Sequence, residues 1–562
     1  MSEIMDNAPM AMASEPTKAN RTGAWRFEKP VFVERIAPCS EACPLGEDIP
    51  GIMSLISNGD FEKAYHTVRK ENPFPGICGR TCYHPCETVC NRKRLDEAVS
   101  IRDLEWFVSN VARELGMSPE RQERNTTRSV AVVGGEPAGI ACAYFLALLG
   151  YEVTIIEQDP SFQGLASLAK PQEGLTTDFI RWELEQVLHL GINIETNMPA
   201  EPGFFQNLGR QFEAVYFSSG ALHGIIDSKR MKTTLDVYLA QDLFRRINSS
   251  NAPVLSGQVA IVGGGTRALE SARAVKNSGG HPVIVYSGGK HDLAYKAVQA
   301  EEKEGIEILF GTGALGLIEE SGKVKGLICS KMKSSEPARI GQQKSQLSGE
   351  APFQIQADQV IIALGQKGNL AVMPGRIQES GLVIIDQDQI PGTANKSLDK
   401  KTIDPSRAIV RDIACGKGAA LSLDLYFRHM PFDVVERFVI GRLKSLSMEA
   451  YQKELHEGLA TQNMGQVVSF EELNLAYFEK APRVIPASIS NTFRKKQALI
   501  SARRCFKCGS CTFCYVCYDF CPDLAIHMDS DARYREIDYD YCKGCGICVE
   551  ECPRGAISWA KG

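Results

Sequence analysis

Nothing in this 562-residue chain approaches the run of about 20 apolar residues that a membrane span needs, so no transmembrane helix is expected. Charge of one sign is also missing. The 63 basic and 68 acidic residues leave a net charge of -5, which gives no reason to expect nucleic-acid binding. The opening stretch, MSEIMDNAPMAMASEPTKAN, has no basic segment followed by an apolar one, so a secretory leader is not expected and the chain is placed in the cytoplasm. Histidine is scarce at nine residues, and neither H-E-x-x-H nor G-x-x-x-x-G-K-[ST] occurs, which sets aside zincin and P-loop chemistry. The remainder is ordinary globular composition, 44% hydrophobic and 23% charged. At this length the prior is about four domains.

Cysteine is what the chain has in excess, and its 19 residues are clustered. Six lie between Cys39 and Cys90 and ten between Cys505 and Cys552, leaving only Cys142, Cys329 and Cys415 in the middle. In a reducing compartment such groups read as metal ligands rather than disulfides. Between the groups the chain repeats a plan. SVAVVGG, IACAYFLALLG and EVTIIEQD read as strand, helix, strand, and QVAIVGGG, TRALESARAVKNSGG and HPVIVYS read the same way. This duplicated βαβ unit predicts two Rossmann-like lobes. The polar stretch 330–352 reads as a surface loop, and ADQVIIALGQ (357–366) as a return to a buried strand. The runs Arg92-Lys93-Arg94 and Arg494-Lys495-Lys496 read as solvated faces or as docking patches for an acidic partner.

The last sixty residues carry Cys511-x2-Cys514-x2-Cys517-x3-Cys521-Pro522 and Cys542-x2-Cys545-x2-Cys548-x3-Cys552-Pro553. That is the bacterial two-cluster ferredoxin spacing, in which the fourth cysteine of each run ligates the other cluster. One [4Fe–4S] cluster then takes Cys511, Cys514, Cys517 and Cys552, and the other Cys542, Cys545, Cys548 and Cys521. A zinc reading fits this doubled frame poorly. Cys505 and Cys508 fall outside it and are left either as buried thiols or as ligands.

The N-terminal group is Cys39-x3-Cys43-Pro44, then NPFPGICGRTCYHPCETVCNR with Cys78, Cys82, Cys86 and Cys90, followed by AVSIRDLEWF. Over nearly its whole length the chain resembles the family of the glutamate synthase small subunit and the N-terminal half of dihydropyrimidine dehydrogenase. It is most similar to a branch with a C-terminal ferredoxin module, that of the NADH-dependent electron-input proteins of dissimilatory sulfite reductase. The resemblance implies a [4Fe–4S] cluster on Cys43, Cys82, Cys86 and Glu105, with Cys78 not a ligand. It implies a second cluster on an upstream C-x2-C pair together with Cys39 and Cys90. The upstream pair is missing here, since VERIAP precedes Cys39. His84, within CYHPC, reads as a structural histidine beside the cluster.

In the first lobe the turn is Gly134-Gly135-Glu136-Pro137-Ala138-Gly139, where FAD-binding relatives want glycine at the place of Glu136. Its carboxylate brings bulk and negative charge to a pyrophosphate site, so it opposes FAD. Glu157 keeps the acidic ribose partner. Gln163-Gly164 replaces a Gly-Gly, and no Gly-Gly-Asp segment is recognisable between Ile390 and Gly416. The second lobe keeps Gly263, Gly265 and Ala268, a workable dinucleotide turn. Tyr286-Ser287-Gly288-Gly289-Lys290-His291 stands where relatives have an arginine pair for the 2′-phosphate, so NADH remains compatible and NADPH is disfavoured.

The expected fold class is α/β: a helical N-terminal iron–sulfur domain, two Rossmann-like nucleotide-binding lobes and a C-terminal α+β bacterial 2[4Fe–4S] ferredoxin domain. The expected divisions are a tail at 1–30, the iron–sulfur domain at 31–125, an FAD-type lobe at 126–225 and 366–430, an NAD(P)-type lobe at 226–365, a helical connector at 431–504 and the ferredoxin domain at 505–562. The expected function is electron transfer through [4Fe–4S] clusters as one subunit of a multi-subunit anaerobic oxidoreductase, with other subunits or a ferredoxin-like protein as redox partner. An active FAD-dependent NADH:acceptor oxidoreductase and a structural assembly subunit are the alternatives.

Overall fold

The computed structural model describes residues 27–119, 127–157, 175–198, much of 208–287 and 306–367, a strand at 383–386, residues 405–431, much of 434–484, and 491–561. Gln163-Gly164, Gly265, Lys290, His291 and most of the stretch from Ile390 to Gly416 up to residue 404 lie outside the described residues.

Both glycine turns follow buried, apolar strands. Ser129–Val133 lies at the centre of a five-stranded parallel sheet ordered Val383–Asp386, Ala214–Phe217, Ser129–Val133, Glu152–Ile156, Asn193–Glu195. Gln258–Val262 is central in a second parallel sheet ordered Glu307–Leu309, His281–Val285, Gln258–Val262, Gln359–Ile362, Val237–Leu239. The shared order (third, second, first, then a late strand) is the structural form of the duplicated βαβ unit. Strands covered on both faces need no polar alternation, which is why VAV and VAIV read as continuous apolar runs.

The helix after the first turn, Pro137–Leu148, is buried from Pro137 through Ala147. An apolar surface all round demands cover on every side. The sheet supplies one side and the long helix Pro405–Phe427 another. One continuous core joins this lobe, the N-terminal helices and residues as distant as Phe506 and Cys508. The second lobe and the C-terminal module each have a core of their own.

A buried ion pair ties these layers together. Lys417 Nζ, on the long helix, meets Glu71 Oε2 of the N-terminal domain at 2.5 Å and donates to Leu45 O at 2.6 Å. Glu71 also accepts from Ser447 Oγ at 2.8 Å, Met448 N at 2.9 Å and Glu449 N at 3.0 Å. Saturating both charges with hydrogen bonds is what makes a pair this deeply buried tolerable.

Three local expectations are corrected. The stretch 330–352 is not wholly loop: the strand Lys323–Lys333 runs into it and Gln346–Leu347 pairs with Met332 and Lys333, because antiparallel partners satisfy the backbone whatever the side chains. Arg92 is not solvated but 3% exposed, its guanidinium bound to Asp96 four residues on, while Lys93 and Arg94 are exposed. Residues 431–504 are helical only in part. Met448–Glu457 and Asn491–Arg503 are α-helical, with single 3-10 turns at Phe470–Glu472 and Leu475–Tyr477. The tail's end docks through its backbone, Glu28–Phe32 pairing antiparallel with Ile557–Lys561, while Phe27 is 82% exposed. Trp25 lies outside the described residues. No helix among the described residues is long and apolar enough to cross a membrane.

Replacing Lys417 by Met leaves the Glu71 carboxylate buried without its cation. The expected cost is about 3–5 kcal/mol, read as a lowered denaturant midpoint; an unchanged midpoint contradicts the role given to the pair.

Candidate metal centres

The C-terminal module brings its cysteines together in two sets. One cavity is lined by Cys511, Cys514, Cys517 and Cys552, and the other by Cys521, Cys542, Cys545 and Cys548. In each, three cysteines of one run meet the last cysteine of the other. Backbone amides point at the sulfurs: Gly544 N to Cys542 at 3.4 Å, Ala525 N to Cys521 at 3.3 Å and Ala556 N to Cys552 at 3.3 Å. Such bonds favour a negatively charged sulfur and tune a cluster's potential. Burial, then the neighbouring cysteines, push the Cys517 and Cys548 thiols up to about 12. Bound iron reverses that balance by holding them as thiolates.

Among the described residues no three His, Cys, Asp or Glu side chains converge tightly enough to hold a single metal ion. A zinc site needs sulfurs about 2.3 Å from one centre. Sulfurs spread around a cavity suit the larger cubane, so the donor set fits [4Fe–4S] better than zinc.

In the N-terminal domain Cys43 ends the short helix Pro38–Ala42 and Cys82 ends Pro75–Thr81, while Cys86 lies in Pro85–Thr88 and Glu105 on Ile101–Glu114. The second and fourth of these helices cross at Gly79, where a Cβ would sit 2.8 Å from Trp106 N, so only glycine permits the approach. Burial, then Glu105, Cys43 and Cys82, raise the Cys86 thiol, and burial raises Cys82 to about 12. Cys43, Cys82, Cys86 and Glu105 therefore form one electrostatic group. Burial and the neighbouring Glu47 carboxyl hold Glu105 well above the usual carboxylate range, because two buried carboxyls side by side cannot both stay charged. Glu47, 2% exposed, is a member of this site that sequence reading missed; its only signal was its place four residues after Cys43.

The His84 imidazole is neutral, pushed down to about 3 by burial and by Arg102, and its Nε2 is buried without a hydrogen-bond partner. Cys78 donates from Sγ to Asn72 Oδ1 at 3.6 Å, as a protonated thiol does. Cys39 and Cys90 stand in a second group, whose other members are Cys505 and Cys508.

The helix carrying Cys78 and leading to Cys82 is anchored from below. Glu183 accepts from Gly76 N at 2.7 Å, Ile77 N at 2.8 Å and Ser109 Oγ at 2.8 Å, capping amides that the helix itself leaves unpaired. Burial raises its carboxyl to about 7 against these bonds.

In the first lobe Glu136 is the N-cap of Pro137–Leu148. Gly139 packs so close to the turn that a Cβ would lie 2.1 Å from Gly134 O. The Gly135 amide donates to Glu157 Oε2 at 2.6 Å. In the second lobe Gly263 has φ +140° and Ala268 is fully buried. Tyr286 packs edge-on against Phe310.

Two Rossmann lobes between cysteine-rich ends define an iron–sulfur protein built on a nucleotide-binding oxidoreductase core. Residues 34–117 match the dihydropyrimidine dehydrogenase domain II 4Fe-4S cluster family, 535–558 the 4Fe-4S binding domain, and 132–179 the NAD(P)-binding Rossmann-like domain. The chain is 30% identical over 432 residues to the NADP(+)-dependent formate dehydrogenase subunit beta of Moorella thermoacetica, covering 70% of this chain and 60% of that one. It is 27% identical over 419 residues to the NADPH-Fe(3+) oxidoreductase subunit beta of Geobacter sulfurreducens, covering 69% and 61%. Against the glutamate synthase [NADPH] small chain of Escherichia coli it is 25% identical over 348 residues, covering 58% and 73%. The chain thus spans about three fifths of the length of the first two relatives. It is similar to the glutamate synthase small chain and, over residues 34–117, to the dihydropyrimidine dehydrogenase iron–sulfur domain.

Substituting Cys82 or Cys86 by Ser should lower iron by about four atoms per chain, whereas Cys78→Ala should leave it unchanged. Iron loss from the Cys78 variant alone would mean that the ligand frame is displaced. Glu183 gives a pH dependence. Its folded pKa of about 7 lies above its ordinary 4.5, so the stability it contributes is full below 4.5 and is lost as pH rises through 7. Urea midpoints of wild type measured between about pH 5 and 8 should fall by an amount that Glu183→Gln removes; parallel profiles for the two proteins would contradict this.

Proposed function

We propose that the chain is an electron-transfer subunit of a larger oxidoreductase, acting in the reducing cytoplasm and passing electrons through [4Fe–4S] clusters at both ends. The observation that carries this reading is the pair of C-terminal cavities, each lined by one quartet of cysteines drawn from both runs. The ligands there are Cys511, Cys514, Cys517 and Cys552 for one cluster and Cys542, Cys545, Cys548 and Cys521 for the other. Cys43, Cys82, Cys86 and Glu105 hold an N-terminal cluster. None of the nineteen cysteines is in a disulfide, which suits a compartment that keeps thiols reduced. The clusters supply one-electron chemistry. The protein contributes exclusion of water, amide hydrogen bonds to sulfur and fixed ligand positions.

In this reading the Rossmann lobes serve mainly as scaffold. Glu136 occupies the N-cap position of the helix whose N-terminus would face a pyrophosphate, and helix N-termini favour phosphate only where amides can approach. A second reading, an NADH-oxidising flavoenzyme feeding the clusters, is favoured by the retained Glu157 and by the NAD(P)-binding Rossmann-like match over 132–179. The names of two relatives attach NADP(+) or NADPH to those proteins. The missing arginine pair after Tyr286 turns this chain toward NADH. The partner is another redox subunit, consistent with the subunit names of those two relatives.

Anaerobically purified protein should carry iron and no stoichiometric zinc, and Cys548→Ala should alter the reduced-state EPR spectrum. Isothermal titration with FAD should find weak binding in wild type and tighter binding in Glu136→Gly. Tight, stoichiometric FAD in wild type overturns the scaffold reading in favour of the flavoenzyme.

A further inference from the structure

Cys505 and Cys508 belong in sequence to the ferredoxin end, but the fold assigns them elsewhere. Cys508 is buried in the same core as Cys39 and Cys43, and Cys505 and Cys90 pack against that core. The eight cysteines of the ferredoxin frame take no part in it; five are buried in the module's separate core and Cys511 packs against that core.

The contacts that hold this pair are specific. Asn91, next to Cys90, points Nδ2 at Cys508 Sγ at 3.6 Å. Arg92 donates to Arg504 O, immediately before Cys505, at 3.3 Å. Arg504, 3% exposed, donates in turn to Asp96 Oδ1 at 2.9 Å, Glu97 O at 2.7 Å and Ala98 O at 3.2 Å. Lys507 Nζ reaches Ser54 Oγ at 3.1 Å. Arg35 N, four residues before Cys39, donates to Gly509 O at 3.2 Å.

The Cys505–Cys508 loop also has the backbone of a cluster-binding loop. Positive φ falls at Lys507 and Gly509, two and four residues after Cys505. The same positions are positive after Cys511, at Phe513 and Tyr515, and after Cys542, at Gly544 and Gly546. Lys507 N points at Cys505 Sγ at 3.4 Å, as Gly544 N does at Cys542 and His84 N at Cys82. Lysine at φ +53° is costly, and such strain persists where surrounding structure or function requires it.

We propose that Cys39, Cys90, Cys505 and Cys508 ligate a further [4Fe–4S] cluster, the C-terminal pair replacing the upstream C-x2-C pair that the sequence lacks. This rests on the iron–sulfur reading of the chain and adds to it a cluster assembled from both chain ends. Besides burial, Cys90, Cys505 and Cys508 are the neighbours whose charge acts on the Cys39 sulfur. The cluster lies between the other two cluster regions. On one side Cys39 is a charge neighbour of Cys86. On the other, Gly509 N donates to Arg554 O at 2.7 Å, beside Cys552, and only Gly509 and Ser510 separate Cys508 from Cys511. It therefore makes the N-terminal and ferredoxin clusters one relay.

The test uses full-length protein, prepared anaerobically and read by iron and zinc content, Mössbauer and EPR spectroscopy. Wild type should hold about sixteen irons per chain, four for each of four cubanes. The double variant Cys505→Ser/Cys508→Ser should lose about four, and Cys39→Ser should lose the same spectral component, with no further loss on combining all three. The component lost in Cys82→Ser and the two ferredoxin signals should survive, which also reports that the variants are folded. Unchanged iron in the double variant overturns the proposal, as does loss of zinc instead of iron, or loss of different components from the double variant and from Cys39→Ser. A wild-type count near twelve that still includes the Cys82-dependent component overturns it without any variant. Absence of iron throughout the chain would instead overturn the electron-transfer reading itself.

Discussion

Asp96 is the hinge on which the two ends of this molecule meet. Its carboxylate binds Arg92 and Arg504 together, two guanidinium groups with almost no exposure, from segments more than 400 residues apart in sequence. It also accepts the Ala481 amide at 3.0 Å. Removing one member leaves a buried charge without its partner, which costs far more than a surface pair contributes. The geometry has a direct chemical consequence. Arg92 follows Cys90 by two residues and Arg504 precedes Cys505 by one, so the lock that closes the fold also fixes the spacing of sulfurs from opposite ends of the chain.

The same logic operates at Glu71 and Lys417, and in milder form at Glu183. In each case a charged side chain from one layer is sunk into another and saturated with hydrogen bonds. Apolar packing alone would tolerate small slides between the N-terminal helices and the first Rossmann lobe. Buried carboxylates with fixed donors do not, and ligand positions for a rigid cluster require that precision.

The Rossmann lobes show how features of a nucleotide-binding turn also serve packing. The turn glycine Gly134 and the closely packed Gly139 are kept, and Pro137–Leu148 is buried along its length. These features serve packing as much as nucleotide binding. Glu136 stands at the start of that helix, where its carboxylate brings negative charge to the end that favours anions. A lobe of this fold does not by itself name its ligand, and function has to be argued from the site rather than from the lobe.

Much was legible in the residues themselves, because short-range spacing carries its own geometry. Two C-x2-C-x2-C-x3-C-P runs dictated two cysteine quartets, since loops that tight can present their sulfurs in few ways. Repeated apolar strand, glycine turn and helix dictated two parallel sheets, because a βαβ unit buries its strands on both faces. Other features depended on residues far apart in sequence. Glu47 looked like any acidic surface residue until Asn72 and Glu105 were placed against it. Arg92 looked solvated within a basic run until Arg504 and Asp96 enclosed it. Cys505 and Cys508 had no assignment in the linear spacing, because their neighbours Cys39 and Cys90 come from the other end of the chain. Sequence alone determined which residues could bind a cluster. For Cys39, Cys90, Cys505 and Cys508 only the tertiary structure brings the sulfurs into one group, because their proximity depends on buried ion pairs between segments hundreds of residues apart.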